Sequence, residues 1–158
     1  MKKITDEKGN NTHYEYDLLG RKIKMTYMNG SSDEWQYDAN SNISQKTKAD
    51  GSVITYNYDK KNRLTNISLP GGNTLNYTYY ENGMLKTADN TASLSFLSFA
   101  YNDANQLLSE IHSLGNDTYT TSYAYDWLNS SYTLTYSSGL SLDYVTDQRG
   151  RLNNVVYN

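Results

Sequence analysis

Tyr14-Glu15-Tyr16-Asp17-Leu18-Leu19-Gly20-Arg21 decides the fold, because its first four residues recur down the chain. Close copies are Trp35-Gln36-Tyr37-Asp38, Tyr56-Asn57-Tyr58-Asp59 and Tyr123-Ala124-Tyr125-Asp126. Looser copies are Tyr77-Thr78-Tyr79-Tyr80, Phe99-Ala100-Tyr101-Asn102 and Tyr144-Val145-Thr146-Asp147. The third positions fall at 16, 37, 58, 79, 101, 125 and 146, with spacings of 21, 21, 21, 22, 24 and 21. A fixed interval of this size marks a repeat architecture.

A second mark sets the register. Fourteen residues after each third position stand Gly30, Gly51, Gly72, Ser93, Gly115 and Gly139, and one period earlier stands Gly9. Four residues after it stand Gly20, Ser41, Asn62, Gly83, Asn105, Asn129 and Gly150. Two turn positions per period leave room for two short extended arms. The first arm alternates: Ile54, Tyr56 and Tyr58 share one face, and Thr55, Asn57 and Asp59 the other. That is the strand period, so the unit is a β-hairpin. Residues 1–158 are expected to form one all-β region. It holds about seven hairpins of period about 21, arranged as an extended, twisted and curved antiparallel meander, cut mid-repeat at both ends.

Composition agrees. Seventeen tyrosines stand beside two phenylalanines, and no apolar helical periodicity runs for ten residues. A formal charge of −3 and only four arginines, Arg21, Arg63, Arg149 and Arg151, argue against a nucleic-acid groove. No apolar run reaches membrane-spanning length. Cysteine is absent, which excludes disulfides and thiolate metal sites.

The motif resembles the RHS/YD-repeat family, whose pattern is a glycine followed by aromatic-x-Tyr-Asp-x-x-Gly-Arg-Leu. Residues 14–21 match it closely, residues 56–64 match with Asn62 for the glycine, and Asp147 to Leu152 match its second half. The family signature maps onto Tyr14, Tyr16, Asp17, Gly20, Arg21, Trp35, Tyr37, Asp38, Tyr56, Tyr58, Asp59, Arg63, Tyr77, Tyr79, Gly83, Phe99, Tyr101, Tyr123, Tyr125, Asp126, Tyr144, Asp147, Gly150 and Arg151. The resemblance implies a segment of shell wall from a large secreted or cell-surface bacterial protein of the toxin-delivery type. In such proteins the shell can enclose a C-terminal domain. The implied partner is the remainder of that parent protein.

Three columns were weighed for chemistry. The aspartates Asp17, Asp38, Asp59, Asp126 and Asp147 could form a calcium ladder, but each turn offers one carboxylate, and capping of the turn is the expectation. His13 and His112 are the two histidines, expected near turns, and no nucleophile or acid can be assigned to either. No catalytic residue, metal or cofactor is expected. The aromatics Tyr14, Trp35, Tyr56, Tyr77, Phe99, Tyr123 and Tyr144 are expected to stack across adjacent hairpins as the packed face of the sheet. The alternative is a carbohydrate- or surface-binding stripe, with Trp35 and the off-register Trp127 as ligand contacts. A single sheet must also cover its apolar face, so either a strongly curved half-shell or a homodimer through a sheet edge or the aromatic face is expected.

Overall fold

In most hairpins the turn closes on one residue in the left-handed region, and that residue is usually the small one the repeat places there. The computed structural model describes residues 2–5, 11–147 and 149–158. All regular structure in them is β. The strands divide between two compact units, residues 1–75 and 76–158.

The first unit holds β1 (Lys2–Thr5), β2 (Asn11–Tyr16), β3 (Lys22–Thr26), β4 (Ser32–Tyr37), β5 (Ile43–Thr47), β6 (Val53–Tyr58) and β7 (Leu64–Ser68). β8 (Thr74–Tyr79) spans the boundary. The second unit continues with β9 (Leu85–Asn90), β10 (Ser95–Tyr101), β11 (Leu107–Leu114), β12 (Asp117–Asp126), β13 (Ser131–Tyr136), β14 (Ser141–Thr146) and β15 (Leu152–Tyr157). Within each unit the strands lie side by side in chain order. From β1 to β7 and from β9 to β15 each pairs antiparallel with the next. The fold is therefore an all-β meander of tandem hairpins. In each unit the turns after the Tyr-Asp pair gather on one edge and the glycine turns on the other.

The two turn kinds share one geometry. Asp17 N–H donates to Arg21 O at 2.9 Å and Gly20 N–H to Asp17 O at 3.0 Å. At the opposite edge Tyr27 N–H donates to Ser31 O and Gly30 N–H to Tyr27 O. The closing residue must have positive φ, which glycine adopts freely and Asn or Ser at modest cost. Gly30 sits at φ +82°, Ser41 at +69°, Asn62 at +60° and Asn105 at +62°. Gly9 lies outside the described residues. Two positions differ from expectation: Leu94 (φ +50°), not Ser93, and Ser130 (φ +50°), not Asn129, take the left-handed conformation. At both places the turn slides by one residue.

No apolar side chain among the described residues is buried, and the one buried residue is Asp33. One layer of sheet has nothing above it to exclude water. The first arm still keeps its alternation: in β6, Ile54, Tyr56 and Tyr58 are half-buried while Val53 and Asn57 are exposed.

Candidate functional site: the Tyr-Asp turn edge

The aspartate of each signature is used up inside its own turn. Asp17 Oδ1 accepts the N–H of Leu19 and of Arg21, each at 2.9 Å, and Oδ2 accepts Arg21 Nε at 2.6 Å. Asp59 repeats this with Lys61 and Arg63, and Asp147 with Arg149 and Arg151. Asp38 uses Asn40 and Asn42. Asn102 does the same with its amide oxygen, toward Ala104 and Gln106. Asp126 accepts Leu128 N–H, Asn129 N–H and Asn129 Nδ2. Such donors favour the ionised form. They hold Asp59 below the usual carboxylate range, chiefly through the Arg63 backbone N–H. The Asn42 amide does the same for Asp38 and the Arg151 guanidinium for Asp147. At Asp17, desolvation pulls upward, and the Arg21 backbone and side-chain bonds outweigh it. Among the described residues no group of three or more His, Cys, Asp or Glu could hold a metal ion.

The tyrosine before the aspartate reaches back to the preceding hairpin. Pairing slips by one residue just before Tyr16, Tyr37, Tyr58, Tyr101 and Thr146, so a β-bulge marks those hairpins. Opposite Tyr16 stands Lys22, opposite Tyr37 stands Ile43, and opposite Tyr101 stands Leu107. The carbonyls of these three residues take the next tyrosine hydroxyl: Tyr37 to Lys22 O at 2.7 Å, Tyr58 to Ile43 O at 3.0 Å and Tyr125 to Leu107 O at 2.8 Å. The hairpin of β12 and β13 pairs without a slip. The next repeat carries Thr146 in place of tyrosine, and its shorter hydroxyl donates to Ser130 O at 2.7 Å.

Arginine ties one turn to the next. Arg21 Nη1 donates to Ser41 Oγ at 3.0 Å, and its guanidinium lies 4.5 Å from the centre of the Tyr37 ring. It therefore touches its own aspartate, the next turn and the next tyrosine. Where asparagine replaces it, the same link runs through amides: Asn40 and Asn42 donate to Asn62 Oδ1 at 2.9 and 3.1 Å. In the second unit Asn82 donates to Asn105 Oδ1 at 2.7 Å.

The aromatic column does not stack as expected. Its members lie on β2, β4, β6, β8, β10, β12 and β14, each separated from the next by a return arm. Among the described residues no ring contact joins two of them. Side chains of the return arms fill the gaps: Lys22 Nζ is 3.9 Å and Lys46 Nζ 5.2 Å from the centre of the Trp35 ring. Trp35 is half-buried with those two cations on it. The ring stack that does form uses tyrosines of neighbouring strands. Tyr132 and Tyr144 lie parallel at 4.9 Å, and Tyr125 is 6.4 Å from Tyr132. Trp127 stacks on Tyr125 at 6.3 Å and remains 74% exposed. Tyr125, Trp127 and Tyr132 line a cleft of about 250 Å³ with Gln106, Asp126 and Asp147. A second cleft of about 400 Å³ lies between the turns at Tyr80 and Asn102.

The histidines lie on strands of different units, and the exposed His112 stands two residues before the end of β11 at the Gly115 turn, where a histidine near a turn was expected. His13 is half-buried within β2, opposite Thr26, because that strand runs through it. His112 lies within β11 with Nε2 3.4 Å from Ser95 Oγ. The sequence reading missed the bulge-reading hydroxyls and the bridging arginine. The pairing of Arg21 with Asp17 four residues earlier was the one signal available for them.

These features define a class: an antiparallel β-hairpin repeat protein in which each turn is pinned to its neighbour by signature side chains. The model of the family described as RHS Repeat matches residues 37–74 of the chain. No curated protein sequence matches the chain. Solved structures share its fold. One is TcdB2-TccC3 without the hypervariable C-terminal region, with a TM-score of 0.72 and 18% identity over 98% of this chain and 9% of that one. Another is TcdB2-TccC3-TEV, with a TM-score of 0.71 and 17% identity over 99% of this chain and 10% of that one. The Tc holotoxin pore of Photorhabdus luminescens gives a TM-score of 0.65 and 15% identity over 97% of this chain and 11% of that one. The chain thus spans about a tenth of the length of the structures it matches. No helix among the described residues is long and apolar enough to cross a membrane.

Proposed function

We propose that residues 1–158 serve as one non-catalytic wall segment of an RHS-type shell, within a larger secreted or cell-surface protein of the toxin-delivery type. One observation carries this reading: a repetitive sheet buries no apolar side chain among its described residues. Its signature side chains are spent on turns and on neighbouring hairpins rather than gathered into a reactive site. A wall segment needs both features, because its apolar face is covered by the rest of the object. The partner is then the remainder of the parent protein and any domain the shell encloses. Cryo-electron microscopy of the natural full-length gene product tests this. The expected map is a closed shell with residues 11–147 in its wall. A product that stays an open, isolated sheet overturns the reading.

A second reading rests on Trp127. Its ring is 74% exposed beside a cleft lined with hydroxyl, amide and carboxylate groups, an arrangement suited to stacking a sugar ring. Glycan binding that is lost on Trp127→Ala would favour a carbohydrate-binding module over a plain wall.

A further inference from the structure

We propose that the cleft beside Trp127 is a vacant arginine seat, which takes the guanidinium of an arginine side chain presented by a partner polypeptide. The chain itself supplies the template. At the first Tyr-Asp turn, Arg21 fills the space between turns, with its guanidinium on the Asp17 carboxylate, on Ser41 Oγ and over the Tyr37 ring. The same signature position, four residues after the aspartate or its substitute, is Gln106 and then Ser130 in two consecutive repeats of the second unit. Both of these residues line the cleft. The opening therefore lies where two successive arginines are missing.

What remains around it is what a guanidinium needs. Asp126 carries the carboxylate. Its donors are Leu128 N–H, Asn129 N–H and the Asn129 amide, all neutral, and no cation pairs with it among the described residues. Asp17, Asp59 and Asp147 each have an arginine within 2.8 Å. Asp147 also lines the cleft, with its charge already met by Arg151. The described lining residues include no lysine or arginine. Tyr125 and Trp127 offer stacked aromatic faces, and Trp127 presents most of its ring to solvent. A planar, weakly hydrated cation that both stacks and forms forked hydrogen bonds is favoured over an ammonium at such a place. A neutral sugar fits less well, because the Thr146 hydroxyl and Gln106 Oε1 are already engaged, the first with Ser130 O and the second with the Asn102 amide.

The test uses the full chain with Trp35→Phe, so that Trp127 is the single tryptophan. A capped Gly-Arg-Gly peptide is titrated while Trp127 fluorescence and its indole N–H resonance are followed. Saturable binding is expected, weakened about ten-fold or more for the isosteric citrulline peptide, which has no charge. Asp126→Asn is expected to weaken it by a similar factor while the turn stays capped, as Asn102 caps its own turn in the preceding repeat. Citrulline binding as tightly as arginine, or an equally tight Gly-Lys-Gly, overturns the assignment. So does free guanidinium chloride matching the peptide, which removes the polypeptide source. A neutral oligosaccharide that shifts the Trp127 indole when the arginine peptide does not would give the cleft to a sugar. Should Asp126→Asn fail to fold, the citrulline comparison decides alone.

Discussion

Replacing Asp33 with alanine removes the best-protected polar group among the described residues, and its cost can be worked from three contacts. Its side chain is 9% exposed, and Oδ2 lies 2.9 Å from Lys46 Nζ, on a side chain 27% exposed. Oδ1 accepts Ala49 N–H at 2.9 Å, and the Tyr27 phenol beside the same carboxylate helps to hold its pKa down. Breaking a fully buried ion pair from one side costs about 3–5 kcal/mol, and breaking an exposed one about 0–1. Lys46 can still reach water, so the loss should fall between these, at about 2 kcal/mol including the orphaned Ala49 donor. Asp33→Asn keeps an acceptor for Ala49 and should cost about half as much. With a urea slope of about 2 kcal/mol/M, the alanine variant should unfold about 1 M earlier. Trp35, with Lys46 near its ring, reports the transition locally by fluorescence. The pH dependence supplies a check on sign. Desolvation raises the Asp33 pKa, but the bonds from Lys46 and Ala49 outweigh it, and the net shift is downward from 3.8. The stabilisation is therefore complete above the ordinary carboxylate range and lost as pH falls through the lower folded value. The gap between wild type and Asp33→Ala should narrow in acid. An unchanged urea midpoint, or a gap that widens as pH falls through the carboxylate range, refutes the reasoning.

Three further outcomes follow from the turn edge. Tyr58→Phe deletes the hydroxyl on Ile43 O and should cost about 1 kcal/mol in urea unfolding, with the half-buried ring left in place. Asn62→Ala should destabilise more than Asn62→Gly. Both lose the bonds from Asn40 and Asn42, but only alanine adds about 1 kcal/mol of strain at φ +60°; thermal melts would rank them, and equal melting points would contradict the strain argument. The isolated chain should self-associate, because no described apolar side chain is buried; light scattering after size exclusion that shows a monomer at all concentrations would count against it.

The hairpin period was legible because the left-handed closing position restricts residue choice so strongly that Gly, Asn or Ser marks nearly every turn. It failed at Leu94, which does not advertise positive φ, and at Ser130, where the turn closes one residue after the position the period marks. The aromatic stack was misjudged for a different reason. Spacing in the sequence compares first arms with first arms, and the sheet inserts a return arm between each pair. Lys22 and Lys46 therefore lie against Trp35 where an aromatic neighbour was expected. Trp127 stood out as off-register, but the cleft beside it was not legible. It depends on absences at Gln106 and Ser130, and their meaning appears only once Arg21 is seen bridging two turns.

The signature acts as a set of links between repeats rather than as a set of separate caps. Around the Asp17 turn two signature side chains have a partner that exists only because the neighbouring hairpin is in register: Tyr37 needs the bulge at Lys22, and Arg21 needs Ser41 and Tyr37. Loss of one member should then be matched by change in the next repeat. The pair of β12 and β13 fits: where its bulge is missing, the following tyrosine is Thr146, and its shorter hydroxyl still finds a carbonyl, that of Ser130. Loss of the arginine is met by an amide link at Asn42, which donates to Asn62, but Gln106 and Ser130 make no such link between turns among the described residues. Glutamine and serine fill less space and carry no charge, so the inter-turn volume opens and Asp126 keeps its full negative charge. The departures from the repeat are thus where this sheet can do something other than hold itself together, and binding is to be sought there rather than along the regular turns.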